Sequence, residues 1–278
     1  MNKNSDGIKE NKQAPKSRNK WTNIFVQVMK YMLLKYEDKI EIISEYSLYD
    51  EPPRIDVVII KLLEDFVIEN SVASFFKRHN IIEFKSPKDI LNIQAFHRVM
   101  GYFHFYLAQN KLKFDDVAIT FVSVNAPKKL LNYLENEQKY KIVPAEQSGI
   151  YYITSESVQS PKMQLVISSQ LSAKDAEWLR AIRDDWTAKD GIKYAEEFEQ
   201  SVDREYLEEI IFGLFSANEK SLEEENMVKP PPRIISIADK WVVKAKQIEI
   251  ARNMKSEGTD LHFIARVTGL TFDEVLNV

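Results

Sequence analysis

Apolar residues recur at helical spacing through Trp21–Tyr36. Ile24, Phe25, Val28, Met29, Met32, Leu33 and Tyr36 line one face, which predicts a helix. The pattern then turns to β type. Lys39–Leu48 (KIEIISEYSL), Arg54–Lys61 (RIDVVIIK, after Pro52-Pro53) and Asn80–Lys85 (NIIEFK) read as strands, with a short helical or irregular insert between the second and third. Ser86-Pro87-Lys88-Asp89 reads as a helix start: Ser86 as N-cap, Pro87 at the first helical position and Asp89 completing a capping-box-like pair. That helix runs to about Gln109, with Ile93, Phe96, Met100, Phe103 and Leu107 spaced for burial. Val117–Val124 (VAITFVSV) is almost wholly apolar, as a strand covered on both faces must be. Gly149–Thr154 and Lys162–Ile167 complete the strands. From Leu171 the pattern is helical and charged. Lys229-Pro230-Pro231-Pro232-Arg233 marks a stiff break. A helix of about Ser236 to Glu257, stopped by Gly258, and two short helices near Thr259–Val267 and Thr271–Asn277 close the chain.

These elements predict an α/β domain over residues 20–170 with a mixed central sheet flanked by helices, then a helical extension over 171–278. Residues 1–19 read as a disordered basic tail, since Lys3, Lys9, Lys12, Lys16 and Arg18 face only Asp6 and Glu10. The 278 residues are 44 % hydrophobic and 29 % charged, which suits a globular chain with a real core. No apolar run approaches the roughly 18 residues of a membrane span, and the polar start carries nothing like a signal peptide, so the expected location is the cytoplasm with no membrane partner. Cysteine is absent, which excludes disulfides and thiolate metal sites. A net charge of −4 argues against coating nucleic acid by charge alone, but leaves local contact with it open.

Candidate chemistry falls on two strands. Asp56 interrupts an apolar strand, where an unpaired carboxylate is costly and calls for a metal or a cationic side chain beside it. In NIIEFK, alternation puts Glu83 and Lys85 on one face and Ile82 and Phe84 on the other. If the strands are neighbours, Asp56, Glu83 and Lys85 converge. Two carboxylates with a carbonyl oxygen suit a hard ion such as Mg²⁺. A helix starting at Ser86 would aim its free N–H groups at the same place and favour a phosphate. The plainer alternative is a salt bridge from Lys85 to Asp56 or Glu83 that fixes strand register.

An Asp in one strand followed by Glu-x-Lys in the next and then a helix resembles the core of the PD-(D/E)XK nucleases. His79-Asn80-Ile81-Ile82-Glu83-Phe84-Lys85-Ser86-Pro87-Lys88-Asp89, the helix with Gly101-Tyr102, and the stretches Glu249–Lys255 and Val267-Thr268-Gly269-Leu270 are similar to the bacterial transposase-like branch of that superfamily, which includes recombination-promoting nucleases. The resemblance covers roughly residues 21–278. It implies a restriction-endonuclease-like fold and a deoxyribonuclease in which Asp56, Glu83 and the Phe84 carbonyl hold Mg²⁺, with Mn²⁺ as a substitute, and Lys85 orients or deprotonates water or stabilises the pentavalent phosphate. DNA is the implied partner, and homodimerisation is left open. Two positions depart from the pattern. The first helix carries no acid, Gln27 being the nearest polar residue, and Arg54 and Ile55 separate Pro53 from Asp56.

The runner-up reading is a catalytically degenerate nuclease fold acting as a binding or scaffold module. A third is a regulator that binds DNA through its C-terminal helices, whose helix-turn-helix cadence ends in TFDEVLNV, without a basic residue. His97 and His104 lie seven apart on one helical face, and a structural role is expected for them rather than metal ligation. Gln94, Arg98 and Tyr102 are further candidates for phosphate contact or ordinary helix surface.

Overall fold

The computed structural model describes residues 18–47, 54–61, 66–155, 160–172, 174–224, 247–248 and 250–276. Residues 1–17 of the tail, the Lys229–Arg233 break and residues 236–246 of the helix expected after it lie outside the described residues. The chain divides into two compact units that meet between Asp184 and Asp185.

The first unit is an α/β body built on one seven-stranded mixed sheet. Helix α1 (Arg18–Met32) leads through a 3₁₀ turn into β1 (Ile40–Ser47) and β2 (Arg54–Lys61), followed by β3 (His79–Lys85), α2 (Ile93–Asn110), β4 (Val117–Ser123), α3 (Lys128–Asn136), β5 (Lys141–Pro144), β6 (Ile150–Thr154), β7 (Lys162–Ile167) and the short α4 (Glu177–Arg180). The strand order is β1-β2-β3-β4-β7-β6-β5. The central pairs β3–β4 and β4–β7 are parallel, and every other pair is antiparallel. Both β3 and β4 are buried along their whole length, as parallel strands covered on both faces must be.

One face carries Ile81, Phe121 and Leu165 under Phe96, Val99 and Phe103 of α2. On the other face α1 lies against β3, with the Phe25 and Phe84 rings stacked at 4.4 Å. Residues 66–76 cross a polar patch of the interior: Gln164 Nε2 donates to the Val72 carbonyl at 3.0 Å and to Thr120 Oγ1 at 2.9 Å. The crossing segment is held near its middle by Ser71, whose N–H donates to Asp175 Oδ2 at 2.5 Å. Residues 171–184, which their helical patterning groups with the extension, pack in this first unit: Trp178 is buried and meets Tyr31 of α1 edge-on.

The second unit is helical. Thr187 and Asp190 cap α5 (Ala188–Gln200) reciprocally, and α6 (Arg204–Glu224) follows. Buried Trp186 stacks on Tyr194 and meets Phe215 edge-on, and its main-chain N–H donates to Asn218 Oδ1 at 3.0 Å. Further on, α7 (Leu261–Thr268) and α8 (Phe272–Leu276) gather Ile264, Leu270 and Val275 around Ala251. Gly258 and Gly269 turn the chain at positive φ, as a helix-ending residue often does.

Candidate active site

The site is made where the β2–β3 ladder stops. Lys61 N–H donates to the Arg78 carbonyl, and the register pairs Ile59 with Asn80 and Val57 with Ile82. In an antiparallel ladder the hydrogen-bonded pairs alternate. The next such pair would be Ile55 with Phe84, and Phe84 N–H would donate to the Ile55 carbonyl. It donates instead to Asp56 Oδ2, at 3.0 Å. A side-chain carboxylate thus stands where a main-chain carbonyl would be, and paired register ends at Val57 and Ile82.

The other edge of β2 is disturbed at the same level. Ser44 pairs with Val57 and Tyr46 with Ile55, so Glu45 faces Asp56 across the strands. Glu45 takes φ +50, a left-handed conformation costing on the order of 1 kcal/mol in a non-glycine residue. Tyr46 accordingly turns toward α2, its ring 5.2 Å from that of Tyr106. Half-buried Asp56 therefore sits where the β2–β3 ladder ends and across from the left-handed Glu45, while the β1–β2 register runs on through Tyr46–Ile55 and Ser47–Arg54.

Glu83 and Lys85 flank the amide that Asp56 holds. Each is 3 % exposed, and Lys85 Nζ donates to Glu83 Oε1. Alternation explains the pairing, since residues i and i+2 of a strand share a face. Phe84 points the opposite way, onto Phe25. Helix α1 therefore lies on the far side of the strand from the Glu83–Lys85 pair. Its lack of an acid removes no neighbour from that pair. The N–H and C=O of one strand residue point to the same side, so the Phe84 carbonyl faces the gap that Asp56 occupies. Lys85 thus lies on Glu83, and Asp56 on the Phe84 amide between them.

The chemistry of this donor set suits a hard divalent cation: two carboxylates and one carbonyl, all oxygen. Among the described residues no three His, Asp or Glu side chains gather as a metal cage. A Mg²⁺ site of one or two carboxylates does not need one.

The helix after the motif begins later than expected. Ser86 to Asp89 form a β-turn, with Asp89 N–H donating to the Ser86 carbonyl at 2.9 Å and Ser86 Oγ to Asp89 Oδ2 at 2.8 Å. Pro87 suits the second position of a turn as well as the first of a helix, and here the turn wins. The true N-cap is Asn92, whose side chain accepts from Ala95 N–H at 2.8 Å. The positive end of α2 therefore begins at Asn92, seven residues beyond Lys85 along the chain, and not at Ser86. Gln94 and Arg98 are exposed on this helix.

Among the described residues the histidines belong to no group of three metal-ligating side chains. His97 Nε2 is 2.7 Å from Tyr133 Oη, and His104 lies against Phe103 and Phe114. His79 is buried with Nδ1 2.8 Å from Tyr106 Oη. Burial first, then the Arg78 charge, lower its pKa, against a raising effect of Asp116. Burial first also pushes the Tyr106 hydroxyl well above its ordinary value. Tyr106 is a partner the helical pattern left unremarked. Its only sequence signal is a polar-tipped aromatic between Phe103 and Leu107 of the apolar stripe.

Fold and site together define an α/β chain with a seven-stranded mixed sheet and an acid–base cluster at the break between two neighbouring strands. Compared with known proteins, the chain matches no family model, no curated protein and no solved structure. Among the described residues no helix is long and apolar enough to cross a membrane.

Proposed function

We propose that this chain is a divalent-metal-dependent nuclease of the PD-(D/E)XK type that hydrolyses phosphodiester bonds in DNA. The observation that carries the reading is the Asp56 carboxylate on the Phe84 amide, between Glu83 and Lys85, at a point where the sheet opens. Asp56, Glu83 and the Phe84 carbonyl would hold Mg²⁺ or Mn²⁺. Such an ion, when bound, polarises a phosphate ester and makes water a better nucleophile at neutral pH. With such an ion Glu83 would have a second cation to satisfy it, and the Lys85 ammonium would be free to orient the attacking water or to offset negative charge at phosphorus. Asp56 keeps the Phe84 peptide fixed and so holds the carbonyl donor in place.

A second reading rests on the same pair. Glu83 and Lys85 already neutralise each other in the interior, which is what a scaffold descended from a nuclease would retain. Nicking of supercoiled plasmid separates the two. The enzyme cleaves with Mg²⁺, is silent in EDTA, and loses activity by at least about a hundredfold in Asp56→Asn and Lys85→Ala. Equal cleavage by wild type and both variants, or none by any across Mg²⁺, Mn²⁺ and single- and double-stranded substrates, gives the scaffold.

A further inference from the structure

A cleft of about 640 Å³ opens at the other end of the sheet, beside the starts of β3, β4 and β7. Lys77, just before β3, and Lys162, the first residue of β7, both line it. Lys162 pairs with Ala118 on β4, whereas Lys85 pairs with Ser123. Five residues of strand rise put the two ends roughly 16 Å apart. This cleft is therefore separate from the acid–base cluster.

One of its two cationic side chains, Lys162, is held against an aromatic ring. Lys162 Nζ lies 4.3 Å from the centre of the Phe75 ring, and that ring stacks on Tyr152 at 5.3 Å with 14° between the planes. Burial, and after it the Lys77 charge, lower the Lys162 pKa below its ordinary value. Two ammonium groups facing one concavity repel each other, a cost that a bound anion would remove. The Thr154 side chain adds a neutral hydroxyl donor, against a single carboxylate, Asp115, among the described lining residues. Lysine binds phosphate as a point charge and does not need the planar match an arginine fork gives.

We propose that this cleft binds a phosphoryl group, free or as the monoester of a small molecule no larger than a mononucleotide, with Lys77 and Lys162 as its cationic ligands. The volume lies within the range of ordinary small-molecule sites. The proposal stands apart from the nuclease reading and does not use its residues.

Calorimetric titration of the full chain in EDTA, with inorganic phosphate in one arm and a nucleoside 5′-monophosphate in the other, tests it. Saturable binding is expected in at least one arm, weakened about tenfold in Lys77→Gln and in Lys162→Gln and retained in Lys162→Arg and Asp56→Asn. Equal affinity in the two arms shows that the phosphoryl group alone is recognised; tighter nucleotide binding shows that the ester group also touches the cleft. No saturable binding up to about 10 mM in either arm, or binding unmoved by both glutamine substitutions in variants that melt with the wild type, overturns the proposal.

Discussion

Asp56 does two jobs at one point, terminating a ladder and presenting a carboxylate. The Asp56→Asn side chain keeps an oxygen able to accept from Phe84 N–H, so the variant is expected to fold while losing the charge. The Glu83–Lys85 pair behaves differently. Both groups are buried, so Lys85→Met leaves a lone interior carboxylate and is expected to cost about 3–5 kcal/mol of stability. Glu83→Gln combined with Lys85→Met is expected to recover most of it. Urea unfolding of the single and double variants measures this, and additive losses would contradict it. His79 sets a pH dependence. Its folded pKa is below the ordinary 6.5, so the unfolded chain takes up the proton first and stability falls as pH drops from 6.5 through the folded value. In His79→Gln this part of the decline should vanish, so its stability deficit narrows toward acid pH in a series of urea melts. At this scale alternation made the shared face of Glu83 and Lys85 legible. It could not tell whether Lys85 would turn to Glu83 or to Asp56. The bond from Phe84 to Asp56 stands where the β2–β3 register ends at Val57 and Ile82, a non-local feature with no local sequence signal.

Among the elements, β2 and β7 begin and end where alternation and apolar runs place them, at Arg54–Lys61 and Lys162–Ile167. Helix α2 does not. Ser86-Pro87-Lys88-Asp89 satisfies a turn and a helix start equally well in local chemistry, and the choice falls to Asn92, whose cap lets Ala95, Phe96 and Val99 reach the sheet. Asn92→Ala is therefore expected to cost about 1 kcal/mol as a lost N-cap, measured by chemical denaturation, with Ser86→Ala costing less. The reverse order would return the helix start to Ser86. The strand β5 and helix α3 are short: β5 is four residues at a sheet edge with none buried and carries little hydrophobic period, whereas α3 sets Leu130 and Leu134 on one clearly amphipathic face within only nine residues.

At the scale of the molecule, the α/β body closes on a segment that charge patterning assigns elsewhere. Trp178, Leu179 and Ile182 are buried in the first unit. A chain ending at Asp184 should then melt cooperatively, and one ending at Gln170 should melt several degrees lower, because it loses that burial. Differential scanning calorimetry of the two truncations tests the boundary. Long-range packing of this kind has no signature in a helical period, which specifies a buried face but not its partner.

The cation is the point on which the catalytic account turns. Thermal melting of the full chain across a Mg²⁺ and Mn²⁺ series, in wild type and Asp56→Asn, measures it without knowledge of the substrate. The account predicts a saturable rise in melting temperature for wild type, absent in Asp56→Asn. A wild-type curve flat in both metals, or an equal rise in the two proteins, would contradict it.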